Sequence, residues 1–104
     1  MFVTDSGKII SYSGLNKKNF INQEISLFLL DCLKNKKQII EETANEIEII
    51  KSGKVNTTNY LIMPIITYGD VYGLLVFINF KNPDTILEIG NIIAKILETQ
   101  VDTN

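Results

Sequence analysis

The stretch YLIMPIITYGDVYGLLVFINF, residues 60–80, constrains this chain more than any other. It reads as two apolar strands joined by a turn at Thr67, Tyr68, Gly69 and Asp70. Gly69 supplies the positive φ that a short hairpin connection needs, and Asp70 is a turn former beside it. In the second strand Val71, Gly73, Leu75 and Phe77 fall on one face, and Tyr72, Leu74, Val76, Ile78 and Phe80 on the other. A strand with one wet side alternates apolar with polar residues. This one is apolar on both sides, so it predicts a sheet covered on both faces. Pro64 cannot donate a ladder bond and marks a bulge or an edge position. Gly73, without a side chain, leaves room for a close neighbour.

The rest of the chain sets the limits. At 104 residues the sequence is read as a single domain, residues 1–104. Ten basic and twelve acidic residues leave a net charge of −2, with no basic excess to neutralise phosphates. Direct nucleic-acid contact by this domain is therefore not expected. No apolar run is long enough to span a membrane, and one cysteine, Cys32, cannot close an internal disulfide. A cytoplasmic location is the expectation, with no membrane partner.

Residues 2–5 and 9–13 read as a hairpin about the turn residues Asp5, Ser6, Gly7 and Lys8. Asn16 can cap a brief helical turn through Asn19. Asn22 is a second N-cap candidate, ahead of Ile25, Phe28, Leu29, Cys32 and Leu33 at helical spacing. Residues 38–43 and 47–51 read as strands, Ser52, Gly53 and Lys54 as a turn, and the polar residues 55–59 as a loop. Asn82, Pro83 and Asp84 then give a cap, a first-position proline and a first-turn acid. They open a helix expected over residues 83–100.

That helix is apolar over more than half its circumference. Ile86, Leu87, Ile89, Ile92, Ile93, Ala94, Ile96 and Leu97 leave only a narrow polar strip of Glu88, Asn91, Lys95 and Glu98. One sheet face cannot cover so much. Gly90 costs stability in a helix interior unless another backbone packs there. Two readings stay open: a helix from a second subunit, or packing against sequence outside this chain.

The order strand, strand, helix, strands, hairpin, helix resembles a GAF-type sensor domain. Pro64, Ile65 and Ile66, then Gly69 and Asp70, then Tyr72 to Leu75, look like the usual GAF ending. Nearer the start, the runs VTD (3–5), IISYSG (9–14) and NKKNFIN (16–22), with Ile25 and Ser26, resemble the C-terminal domain family of stage V sporulation protein T. That family regulates transcription in endospore-forming bacteria. Two departures stand out. The family's N-terminal DNA-binding domain is absent, and so is the helix that precedes the first GAF strand and packs beside the last one. Either the chain is a piece of a longer one, or another subunit supplies that helix.

Catalysis finds no support in the residues. Without histidine there is no Ser-His or Cys-His pair, and a zinc site would have one cysteine at most. Cys32 sits at a core spacing and reads as a small hydrophobe; it does not match the several cysteines of GAF domains that reduce methionine sulfoxide. No enzyme activity, metal or cofactor is expected. The resemblance implies a pocket on the sheet face opposite the terminal helices. Ser11 or Ser13, Thr43, Asn59 and Tyr60 would supply its polar groups, beside Phe20 and Phe28. The plainer reading fills that space with the protein's own side chains.

The fold expected is thus α/β (α+β in the finer division), of the PAS/GAF type: a central antiparallel sheet with helices on both faces. The function expected is sensing of a small-molecule effector and oligomerisation within a transcription regulator. A homo-oligomer would form through the C-terminal helix, at Ile86, Ile89, Gly90, Ile93, Ile96 and Leu97. The alternative is an assembly module that binds no ligand.

Overall fold

The structure is a computed structural model that describes residues 2–4, 9–12, 20–51, 53–67 and 69–102. The side chains of residues 2–3, 9–12, 67 and 100–102 are outside that description. The elements run β1 (Phe2–Thr4), β2 (Ile9–Tyr12), α1 (Leu27–Asn35), β3 (Ile39–Glu41), β4 (Asn45–Ile50), β5 (Gly53–Thr57), β6 (Tyr60–Thr67), β7 (Asp70–Ile78) and α2 (Pro83–Asp102). Five strands form one antiparallel sheet in the order β2-β1-β7-β6-β3, and β4 and β5 form a separate ribbon. The architecture is α+β.

The β6–β7 hairpin lies near the middle of the sheet, as its doubly apolar sequence requires. Gly69 turns it with φ +82°. On one face Tyr60, Ile62, Leu74 and Val76 join Leu29 and Cys32 of α1 and Ile47, Ile49 and Ile50 of β4. On the other, Leu61, Met63, Ile65, Leu75 and Phe77 meet Ala94 of α2, flanked by Ile86, Leu87, Ile93 and Leu97. Pro64 lies beyond the reach of β3, which pairs only with residues 60–62. It therefore occupies an open edge of β6, where a missing N–H costs nothing.

Two irregularities change the expected faces. Ile65 stands opposite Gly73, but Ile66 stands opposite Val71, so Tyr72 is a bulged extra residue. Val71 thus leaves the alternation shared by Gly73, Leu75 and Phe77, and Tyr72 is 46% exposed. At the other end Asn79 takes φ +57°. That left-handed step reverses the facing of Phe80, which packs with the α2 cluster and not with Leu74 and Val76.

Three local expectations are corrected. Helix α1 is capped by Ser26, whose hydroxyl accepts from the Leu29 N–H at 3.2 Å. Asn22 instead sits in a turn at φ +65°. Ile25 is outside the helix, bridged to Ile50 and fully buried. Residues 53–57, expected as turn and loop, are a strand. Their partner β4 satisfies the backbone, and Val55 and Thr57 point inward while Lys54 and Asn56 face water. The brief helical turn after Asn16 lies outside the described residues.

Helix α2 begins as its sequence dictates, with Asn82 Oδ1 accepting from the N–H groups of Asp84 and Thr85. Gly90 and Ala94, both buried, let it approach the sheet closely. The neighbour at Gly90 is a side chain, not the backbone the sequence suggested. A Cβ built there would lie 3.0 Å from Met63 Cε and 3.4 Å from Phe77 Cε2. Asn59 ties the hairpin to the segment leading into α2, accepting from Phe80 N–H at 2.8 Å and donating to Phe80 C=O at 2.7 Å. We predict that Asn59→Ala destabilises the protein by about 1–3 kcal/mol, read as a lower urea midpoint at an unchanged slope. Asn59→Asp, which sets a carboxylate oxygen against the Phe80 carbonyl, should destabilise at least as much.

Candidate functional site

The site follows from how α1 is anchored. Ser26 is fully buried and does two things at once. Its hydroxyl caps the helix and donates to the Glu48 carbonyl at 2.6 Å, while its N–H bonds to Ile49 C=O at 2.9 Å. Lys51 N–H bonds to Glu24 C=O at 3.2 Å, so residues 24–26 run along β4 as a third, short strand-like edge. The first turn of α1 is thereby held against the ribbon. At its other end, Lys36 takes a left-handed C-cap conformation, and its ammonium donates to Gly69 C=O in the hairpin turn.

Between the start of α1 and the ribbon lies a cleft of about 360 Å³. Helix α1 contributes Leu27 and Phe28, β4 contributes residues 45–48, β5 contributes Lys54 and β6 contributes Tyr60. Phe28 and Tyr60 meet edge to face, with ring centroids 6.2 Å apart and planes at 83°. Leu27 stands 76% exposed, although it is a leucine on the rim. Lys54 pairs with Glu46 at 3.6 Å. Tyr60 is only 6% exposed, and its hydroxyl makes no hydrogen bond with any described residue. Burial, reinforced by the Glu41 carboxylate and by Cys32, raises its phenol above the ordinary value, so it is a neutral donor at physiological pH.

Of the residues singled out from sequence, Phe28 and Tyr60 are brought together in this cleft. Phe20 packs on the same core cluster but does not line the cleft. Thr43 is engaged elsewhere: its N–H and hydroxyl both bond to Glu41 Oε1, at 3.2 and 2.6 Å, which lowers the Glu41 carboxyl below its ordinary range. Asn59 is committed to Phe80. In β2 the backbone of Ser11 pairs with Val3 of β1; the side chain of Ser11, and all of Ser13, lie outside the described residues. The sequence reading missed Leu27 on the helix side, and Asn45, Glu46, Ile47, Glu48 and Lys54 on the ribbon. The ribbon's alternating charged and apolar pattern was visible, but the side that would border a cleft was not.

On α2, Ile86, Ile93 and Leu97 pack partly on the sheet and Gly90 is buried against it. Ile89 and Ile96 are 42% and 53% exposed, and Ile92, which the interface expectation omitted, is 60% exposed. At 100° per residue these three form one stripe, roughly a third of a turn from the sheet-facing side. Cys32 is 1% exposed, and its thiol is pushed up by burial and by Asp31, so it stays protonated. Among the described residues, no three His, Cys, Asp or Glu side chains gather as a metal site would require, and no helix is long and apolar enough to cross a membrane.

A family model described as "Stage V sporulation protein T C-terminal, transcription factor" matches residues 1–102. Stage V sporulation protein T of Bacillus subtilis (strain 168) is 25% identical over 99 residues, covering 95% of this chain and 53% of that protein. The chain thus spans about half the length of the curated relative it matches. For the site itself, we predict that Ser26→Ala, which removes both the cap and the bond to Glu48, costs about 2 kcal/mol. Amide exchange should speed up in 27–30 and in β4 while the β6–β7 amides stay protected.

Proposed function

The chain belongs to the stage V sporulation protein T C-terminal family, and on that premise we propose that it is the regulatory domain of a sporulation transcription regulator, sensing a small molecule and assembling through α2. The fold is read as GAF-type, because an antiparallel sheet carries one long helix on one face and a shorter helix with a ribbon on the other. The cleft beside Phe28 and Tyr60 carries the sensing reading. It lies on the face away from α2, has one apolar wall and one charged wall, and offers the Tyr60 hydroxyl, which has no partner among the described residues. An occupant there would touch both α1 and the β4–β5 ribbon. It would bias the position of α1 only if it bound one arrangement more tightly than another. The protein is read as cytoplasmic, not catalytic, and not itself in contact with DNA.

The stripe of Ile89, Ile92 and Ile96 carries the assembly reading. Exposed β-branched side chains aligned on a long helix are what a helix–helix contact buries. We expect the protein to sediment as a concentration-dependent oligomer, and Ile92→Glu with Ile96→Glu to sediment as a monomer with unchanged far-UV circular dichroism. A wild-type monomer at high concentration would overturn this part.

Thermal shift across a metabolite panel tests the sensor. At a hundredfold excess over Kd, a ligand adds about 2.7 kcal/mol, which raises Tm by roughly 10–20 °C in a domain of this size. A panel that leaves Tm unmoved while the oligomer persists would favour an assembly module without a ligand.

A further inference from the structure

The geometry points to a small organic cation as the occupant of the Phe28–Tyr60 cleft: a protonated amine on an aromatic or aliphatic body. This inference rests on the sensing reading above and adds the charge and size of the ligand. Three observations carry it. First, the charge around the cleft is lopsided. Glu46 and Glu48 line it, and Glu41 stands opposite Tyr60 in the β3–β6 register. Lys54 is the cation that lines it, and it is already paired with Glu46. The Glu48 carboxylate has no ion-pair partner among the described residues. The nearby Glu24 and Lys51 neutralise each other at 2.9 Å, and so do Asp31 and Lys37 further along α1 at 3.4 Å. The start of α1 brings roughly half a positive charge, too little to offset the excess carboxylates.

Second, the wall opposite those charges is apolar and aromatic. Phe28 and Tyr60 present an edge-to-face pair, and Leu27 stays exposed at the lip with nothing from the described residues covering it. A ring or alkyl body would bury Leu27, and aromatic faces also attract cations directly. Third, Tyr60 lines the cleft, and its hydroxyl has no hydrogen-bond partner among the described residues. A polar atom on a guest would give that hydroxyl a hydrogen bond. The volume of about 360 Å³ is at the low end of ligand sites, which fits a metabolite-sized guest.

The test titrates the 15N-labelled protein with three probes that share one body: phenethylamine, phenylacetate and 2-phenylethanol. Phenethylamine should shift the amides of Phe28, Ile47, Glu48 and Tyr60, and bind more tightly than either other probe. Glu48→Gln, a substitution at an exposed position, should weaken the amine about two- to fivefold and leave the alcohol unchanged. Tyr60→Phe, first checked for an intact spectrum, should weaken it by a similar factor. If phenylacetate binds the same amides as tightly as the amine, the cation assignment fails while a sensing cleft stands. If no probe shifts these amides at millimolar concentration, the cleft is not the binding site, and the metabolite panel alone decides whether sensing occurs elsewhere.

Discussion

A hairpin with both sides apolar cannot leave either side in water, and the rest of the molecule is arranged to satisfy that demand. Leu61, Ile62, Ile65, Leu74, Leu75 and Val76 are each essentially inaccessible to solvent. Burying one such side chain contributes about 1.5–3 kcal/mol, comparable with a good part of a small domain's net stability. Odd and even positions of one strand therefore feed two cores, one on each face. Neither core could be surrendered without unfolding the other, because both hang on the same backbone.

The two faces are covered by different means. On one, α2 is a long helix that brings Gly90 and Ala94 down onto Met63 and Phe77, so that small residues permit a close approach. The helix is wider in its apolar arc than the sheet can cover, and Ile89, Ile92 and Ile96 are left over. On the other face, α1 has only nine residues and shares the work with the β4–β5 ribbon. Two covering pieces leave a seam between them, and the cleft is that seam. The same division explains why the cleft has mixed chemistry: its helix side is Leu27 and Phe28, and its ribbon side carries Glu46, Glu48 and Lys54.

Much of this was legible where the controlling interactions are local. Asn82, Pro83 and Asp84 start α2 through bonds spanning two or three residues, and Gly69 turns the hairpin on its own dihedral freedom. Where the deciding partner is distant, reading by residue type failed. Asn22 and Ser26 are equally good caps by chemistry, and what selects Ser26 is the pairing of residues 24–26 with residues 49–51. Residues 55–57 look like a loop because Asn and Thr dominate them, yet β4 supplies the ladder that makes them a strand. Asn79 looks like any polar end to a strand, but its left-handed turn sends Phe80 to the other core. For the candidate site Phe28 and Tyr60 could be named in advance, Phe28 together with Phe20, which does not line the cleft, and Tyr60 as a polar group. Asn59 could not be excluded from it, since its partner Phe80 lies twenty-one positions away, whereas Thr43 is held by Glu41 only two residues off.

By itself, the order of residues determined that this chain holds a buried hairpin, a sheet with cover on both sides, a C-terminal helix with surplus apolar surface, and no histidine-based chemistry. Those follow from periodicity and composition, which are properties of neighbours along the chain. Tertiary structure alone decided where α1 begins, that β4 and β5 leave the main sheet as a ribbon, and which carboxylates border Phe28 and Tyr60. The reason is physical: a seam between two covering pieces exists only once both have docked, and docking is settled by hydrogen bonds such as Ser26 to Glu48, twenty-two positions apart.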